Sequence, residues 1–285
     1  MPSAAIISKP NKPELKRVLS AVITWLEERG YDVVLDPYSA TYVSGYPQAP
    51  REELHALKPE FAVVLGGDGT LLAAARALAH AGIPLLAVNL GSLGFLTEVP
   101  LDELYVHLES IKQKCCVIDE RSMLHSRVVR NGNIVQRHEA LNDVVMKATA
   151  ARLADFELSI NGCRVADYKA DALILATPTG STAYSLAAGG PILAPGVNAF
   201  VITPVSPHAL THRPLVVEDS SKIEVRFAIG TEGAALTVDG QVSAPLQSGD
   251  LVQCELSESR VKLMRAENGH KFFDVLRSKL HWGER

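Results

Sequence analysis

The spacing of apolar residues changes part-way along this 285-residue chain, and that change limits what the chain can fold into. In the first third, residues 4–8, 31–35, 61–65 and 84–88 are short runs dominated by apolar side chains. Between the first two runs, Leu15, Val18, Leu19, Val22, Trp25 and Leu26 recur at helical spacing, with Pro13 near the start and Gly30 just past the end. Residues 71–80 are a second helical stretch, rich in alanine. Strands that are apolar on both faces need cover on both, which a parallel sheet flanked by helices supplies. From residue 127 onward the period is two. Phe156, Leu158 and Ile160 alternate with polar residues, as do Ile223, Val225 and Phe227, and Val252, Cys254 and Leu256. Asn131-Gly132, Asn161-Gly162 and Asp239-Gly240 supply the tight turns that antiparallel hairpins use.

The expected fold is therefore α/β plus all-β. A Rossmann-like parallel-sheet domain covers residues 1–118, an antiparallel β-sandwich covers 119–265, and residues 266–285 return to the first domain through a helix at 272–280. Charged residues are 21% of the chain and the net charge is -4, which argues against a broad nucleic-acid surface. No segment has the order of a signal peptide, and no apolar run is long enough to span a bilayer, so a cytoplasmic protein is expected. The four cysteines (Cys115, Cys116, Cys163 and Cys254) show no paired C-x-x-C spacing, so a structural zinc site is not expected.

Residues 66–70 read GGDGT and stand where an apolar strand ends and a helix begins. A helix amino terminus there offers unpaired amides and a partial positive charge, and glycines allow close approach of phosphate and positive φ. This makes Gly66, Gly67, Gly69 and Thr70 candidate phosphate-binding residues. An acidic side chain is out of place in a simple anion site, so Asp68 points to chemistry on a hydroxyl or a metal. The alternative is a tight turn in which Asp68 or Thr70 caps the helix.

Residues 171–191 read DALILATPTGSTAYSLAAGGP. An apolar strand at 172–176 gives way to a crowd of hydroxyls at Thr177, Thr179, Ser181, Thr182 and Ser185, suited to ribose and phosphate oxygens. Tyr184 adds a flat face for a base. The alternative is a capped short helix over 182–188, ended by Gly189.

These stretches carry a resemblance. GGDGT resembles the motif shared by NAD kinases, lipid kinases of the diacylglycerol and sphingosine type and, more distantly, 6-phosphofructokinases, which implies phosphoryl transfer to a hydroxyl. Residues 171–191 resemble the signature DGLIxxTPTGSTAYxxSxGGPI of the NAD kinase family, which the lipid kinases lack. LNDVV at 141–145, GSLGF at 91–95, residues 206–215, Asp239-Gly240-Gln241 and the tail at 272–280 fit the same family in the same order.

The resemblance implies a kinase acting on the 2′-hydroxyl of the adenosine ribose of NAD, with ATP or polyphosphate as donor. Asp68 would be the catalytic proton acceptor, with Gly69 and Phe95 beside it. Asn142 and Asp143 would hold adenosine. Asp171, Thr179, Thr182, Ala183, Tyr184, Ser185, Leu186, Ala187 and Gln241 would contact the dinucleotide, with Arg152 and Lys169 as nearby basic groups. Lys169 stands where many members have arginine, Ala172 replaces a usual glycine and Ala187 a serine. A divalent ion, magnesium in the first instance, would travel with the donor, and no dedicated metal cage is expected. NAD and ATP are the expected partners, without nucleic acid or membrane, and a homodimer or homotetramer is expected by analogy. The competing readings are a lipid-type kinase sharing residues 66–70 and a dinucleotide sensor without catalysis.

Overall fold

The apolar runs become strands for the reason their composition suggests: most are covered on both faces. The computed structural model describes residues 1–91, 94–149, 153–228, 233–266 and 272–281, and the chain divides into two compact units. The first comprises Met1–Glu120 and Ser259–Arg285, the second Arg121–Glu258. Both boundaries fall inside long strands.

The first unit begins with β1 (Ser3–Ser8), α1 (Leu15–Glu28), β2 (Asp32–Leu35) and a short helix α2 (Pro37–Ala40). Then come β3 (Phe61–Gly66), α3 (Asp68–Leu78), β4 (Leu85–Asn89), β5 (Val99–Pro100) and α4 (Leu104–Lys112). The strands are parallel in the order β2-β1-β3-β4, with β5 on β4. Leu15, Leu19, Val22, Ile23 and Leu26 of α1 are buried against the sheet, as helical spacing requires. Each such side chain contributes about 1.5–3 kcal/mol when taken from water.

In the second unit the turns set the pairing. β6 (Cys116–Arg130) and β7 (Asn133–Ala140) flank Asn131-Gly132; β8 (Asp143–Ala148) follows; β9 (Ala154–Ile160) and β10 (Cys163–Ala170) flank Asn161-Gly162. β11 (Ala172–Ala176), a short helix α5 (Tyr184–Ala187), β12 (Ala199–Val205), β13 (Leu215–Glu218) and β14 (Ile223–Phe227) come next. β15 (Ala234–Val238) and β16 (Val242–Leu246) flank Asp239-Gly240, and β17 is Leu251–Ala266. Both residues of each of the three turns have φ between 50° and 79°, the backbone of a two-residue hairpin.

One antiparallel sheet has the order β13-β12-β11-β8-β15-β16, and a second antiparallel array joins β10, β9, β14 and the start of β17. Leu173 and Leu175 of β11 face a core with Phe156, Phe200 and Phe227. Ala172, Ile174 and Ala176 face the other way, into a second cluster packed by Ala188 and Leu193. That explains why β11 lacks polar alternation. The last described helix is α6 (Phe272–Leu280), with Val275 and Leu276 buried. Among the described residues, no helix is long and apolar enough to cross a membrane.

Candidate functional site

In the first unit the site starts at the β3–α3 junction. Gly67 is the N-cap of α3 and no side chain caps it, so neither Asp68 nor Thr70 plays that part. Gly66, Gly67 and Gly69 are also not at positive φ. Gly66 is required by space instead, since a Cβ there would lie 2.3 Å from Thr70 Oγ1.

The Asp68 carboxylate reaches across to the loop after β4. Phe95 N–H donates to its Oδ2 at 3.0 Å. Leu96 N–H (3.2 Å), Thr97 N–H (3.0 Å) and Thr97 Oγ1 (2.9 Å) converge on Oδ1. Asn89 Nδ2 donates to Thr97 Oγ1 at 2.9 Å, and Asn89 Oδ1 accepts from Gly91 N–H at 2.7 Å. The Thr97 hydroxyl proton is thereby directed onto Asp68. A Cβ on Gly94 would sit 2.1 Å from Asp68 Oδ1, so the loop closes on the carboxylate only with glycine at that position.

A cavity of about 380 Å³ opens at this turn. Its lining is Lys9, Lys12, Gly66, Gly67, Asp68, Asn89, Leu90, Gly91, Gly94, Thr97 and Lys279. Three lysines and one aspartate line it, a surplus of positive charge that suits an anion. Among the described residues, no group of three or more His, Cys, Asp or Glu side chains is placed to hold a metal.

In the second unit, three strand ends converge. Ala176 at the end of β11 pairs with Asp143 at the start of β8, and Val238 at the end of β15 pairs with Val144. Just past them, Asp239 Oδ1 accepts from Asn142 N–H (2.7 Å) and Asp143 N–H (3.2 Å), and its Oδ2 from Leu141 N–H (3.3 Å). Burial, with the Asp239 carboxylate beside it, pushes the Asp143 carboxyl up to about 7. Asn142 Oδ1 is buried without a hydrogen-bond partner, a polar group of the kind that a bound ligand would satisfy.

The hydroxyl-rich segment is packed tightly on this junction. Thr177 Oγ1 donates to Leu141 O (2.6 Å) and accepts from Gly180 N–H (3.0 Å). Ser181 Oγ donates to Pro178 O (2.6 Å), and Ser185 Oγ shares a hydrogen bond with Thr203 Oγ1 (2.8 Å). Thr179 Oγ1 accepts from the buried guanidinium of Arg121 at 3.3 Å. A Cβ on Gly180 would fall 2.0 Å from Asn142 O. Instead of one helix over 182–188 there is a 3-10 turn at Thr179–Thr182 and then α5, broken at Ala183, whose ψ of -128° is not helical. Tyr184 and Ala187 are exposed, Thr182, Ala183 and Leu186 are half-buried, and Ser185 is fully buried.

Gln241 lies exposed on the β15–β16 turn. Asp171 sits just before the opposite end of β11, roughly 20 Å along the strand from Thr177 at about 3.3 Å per residue, and Lys169 precedes it near the end of β10. Both are exposed; Lys169 O accepts from His208 N–H and Asp171 O from Ala148 N–H. Arg152 lies outside the described residues. Sequence reading passed over Lys9, Lys12, Lys279, Asn89, Thr97 and Arg121. Lysines carry no periodic signal, and Asn89 and Thr97 acquire their part only when the chain folds back on Asp68.

The two units match family profiles separately. Residues 4–114 match the ATP-NAD kinase N-terminal domain, and residues 141–266 match the ATP-NAD kinase C-terminal domain. The chain is 54% identical to an NAD kinase of Koribacter versatilis, over the full length of both. The chain belongs to the NAD kinase family.

It is accordingly a kinase, whose activity is the ATP-dependent phosphorylation of NAD. An NAD kinase of Geobacter sulfurreducens is 46% identical over the full length of both chains. Among solved structures, yeast NADH kinase complexed with NADH superposes with a TM-score of 0.85 at 25% identity, covering 100% of this chain and 89% of that one. An NAD kinase from Archaeoglobus fulgidus in complex with ATP gives 0.75 at 27% identity, covering 98% of each. The α/β plus antiparallel architecture is thus that of the NAD kinases.

Proposed function

We propose that this enzyme moves the terminal phosphoryl group of ATP to the 2′-hydroxyl of the adenosine ribose of NAD, with Asp68 accepting the proton. The supporting observation is the fixed carboxylate of Asp68 at a glycine-lined helix terminus, in a cavity otherwise lined by lysines, glycines, Asn89, Leu90 and Thr97. Phosphoryl transfer passes through a loose transition state, so placement and electrostatics supply most of the acceleration. The ribose oxygen forms a bond to phosphorus as the bond to the ADP oxygen breaks. A carboxylate of reference pKa near 3.9 is a weak base, so Asp68 takes the hydroxyl proton late, as the new bond develops.

Asn142 and Asp143 hold the adenosine, and the unpartnered Asn142 Oδ1 supports that role. Asp171, Thr179, Thr182, Ala183, Tyr184, Leu186, Ala187 and Gln241 contribute the remaining dinucleotide contacts, with Ser185 bracing that segment through Thr203 and with Arg152 and Lys169 as nearby basic groups. Gly66, Gly67, Gly69 and Thr70 lie along the donor phosphates, with Phe95 beside Asp68. Magnesium carried on the donor fits this lining, because its one carboxylate already accepts four hydrogen bonds. When bound, the ion would offset charge on the phosphates. The four free cysteines suit a reducing cytoplasm, and assembly as a dimer or tetramer follows the family by analogy.

The test is NADP formation from NAD, ATP and magnesium. Asp68→Asn should bind NAD nearly as well and turn over about a thousandfold more slowly. Normal turnover with collapsed NAD affinity would overturn the assignment.

A further inference from the structure

The lysines of the first-unit cavity have no place in the chemistry described so far. Lys9 and Lys12 come from the turn after β1, and Lys279 from the last turn of α6, so two distant stretches of sequence supply cations to one space. We propose that Lys9, Lys12 and Lys279 form a clamp for the phosphate chain of the donor. This rests on the kinase reading above and specifies which side chains hold the donor.

The turn that carries two of them is built to hold its shape. Tyr42 Oη donates to Lys9 O and accepts from Lys12 N–H, both at 2.9 Å, and so bridges the two lysines through their backbone. Lys9 N–H donates to Leu65 O at 2.9 Å, which fastens the turn to the end of β3, one residue before Gly66. Asn11 between them is at φ 58°, a conformation asparagine tolerates better than most residues. The Lys9 and Lys12 side chains thus extend from a loop whose main chain is fastened beside the glycine turn.

Charge selects the occupant. The cavity holds three cations against Asp68, whose two oxygens already accept four hydrogen bonds. Lys12 lies 3.4 Å from Glu14, but that pair is solvent-exposed and contributes little. Among the described residues, neither Lys9 nor Lys279 is ion-paired. A polyphosphate chain matches such a surplus, and lysine, a compact charge on a flexible stem, can follow phosphates as they move.

The experiment compares Lys9→Gln and Lys279→Gln with the unaltered enzyme, titrating ATP at saturating NAD and NAD at saturating ATP. Binding of inorganic tripolyphosphate with magnesium is measured by calorimetry. Each variant should raise KM for ATP tenfold or more and weaken tripolyphosphate binding similarly, while KM for NAD stays within twofold. Lys279→Arg should recover part of the loss, and Lys112→Gln, an exposed lysine outside the cavity, should change nothing. Lys9 is on an exposed turn, so its variant separates phosphate binding from any loosening of α6. Unchanged ATP and tripolyphosphate affinity in both variants would overturn the clamp, as would a rise in KM for NAD matching that for ATP. Failure of the unaltered enzyme to form NADP would instead overturn the kinase reading.

Discussion

Asp68 and Asp143 are the same residue type in two very different settings. Asp68 stands half-buried at a helix terminus and receives four hydrogen bonds from one loop. Asp143 is buried beside Asp239, and that neighbour, not Asp143, collects the amides of residues 141–143. The lesson is that surroundings decide what a carboxylate can do. Asp68 is held in place by its four donors, whereas burial and the neighbouring Asp239 charge shift Asp143 toward its protonated form. The glycines differ in parallel: Gly94 makes room for a side chain and Gly180 for main chain.

The largest expected effect is at Asp68, where Asn should slow turnover about a thousandfold with little change in melting temperature. If stability collapses as well, the carboxylate is a structural tie like Asp239 and the contrast fails. Next comes Gly180→Ala. Its Cβ would meet a main-chain carbonyl that cannot rotate away, and a loss of about 3 kcal/mol in urea unfolding is expected. Gly94→Ala meets a side chain instead, so it should cost about 1 kcal/mol in the same measurement while lowering turnover about a hundredfold by displacing Asp68. Equal stability losses at the two glycines would erase the distinction.

The smallest effect is the pH response of Asp143. Its carboxyl titrates near 7 in the folded chain and near 3.8 unfolded, so the folded state holds the extra proton between those values. Its contribution to stability is therefore fully present below pH 4 and lost as pH rises through 7. Asp143→Asn removes that titration, so the variant should gain in melting temperature relative to the unaltered chain between pH 5 and pH 8. A difference that stays constant with pH would show that Asp143 is not the titrating group.

Much of the fold was legible because the relevant forces act locally. The apolar runs at 4–8, 61–65 and 84–88 and the three turns led by Asn131, Asn161 and Asp239 correspond to observed strands and hairpins. Local reading missed α4, although Leu104, Leu108 and Ile111 repeat at helical spacing, and it missed β12 and β13. It also gave no sign that β6 and β17 run for 15 and 16 residues, since their polar stretches break the alternation. At the site, GGDGT announced Asp68 and GSLGF announced Phe95, but Leu96 and Thr97, 28 and 29 residues from Asp68, have no motif of their own. The hydroxyls of residues 177–185 were read as ligand groups. Those of Thr177, Ser181 and Ser185 are hydrogen-bonded within the scaffold, a use that composition cannot distinguish from binding.

The grip on Asp68 is lopsided. Three of its four bonds end on Oδ1 and one on Oδ2. A carboxylate oxygen has about two lone-pair positions, so Oδ1 is saturated and Oδ2 keeps room for one more donor. The side chain is consequently held one-handed, with Oδ1 clamped in the loop and Oδ2 the oxygen that, on the proposed mechanism, would take the proton. Turning it over would mean breaking every bond to residues 95–97 together, so on the proposed mechanism the side from which an alcohol would approach was settled when the loop closed.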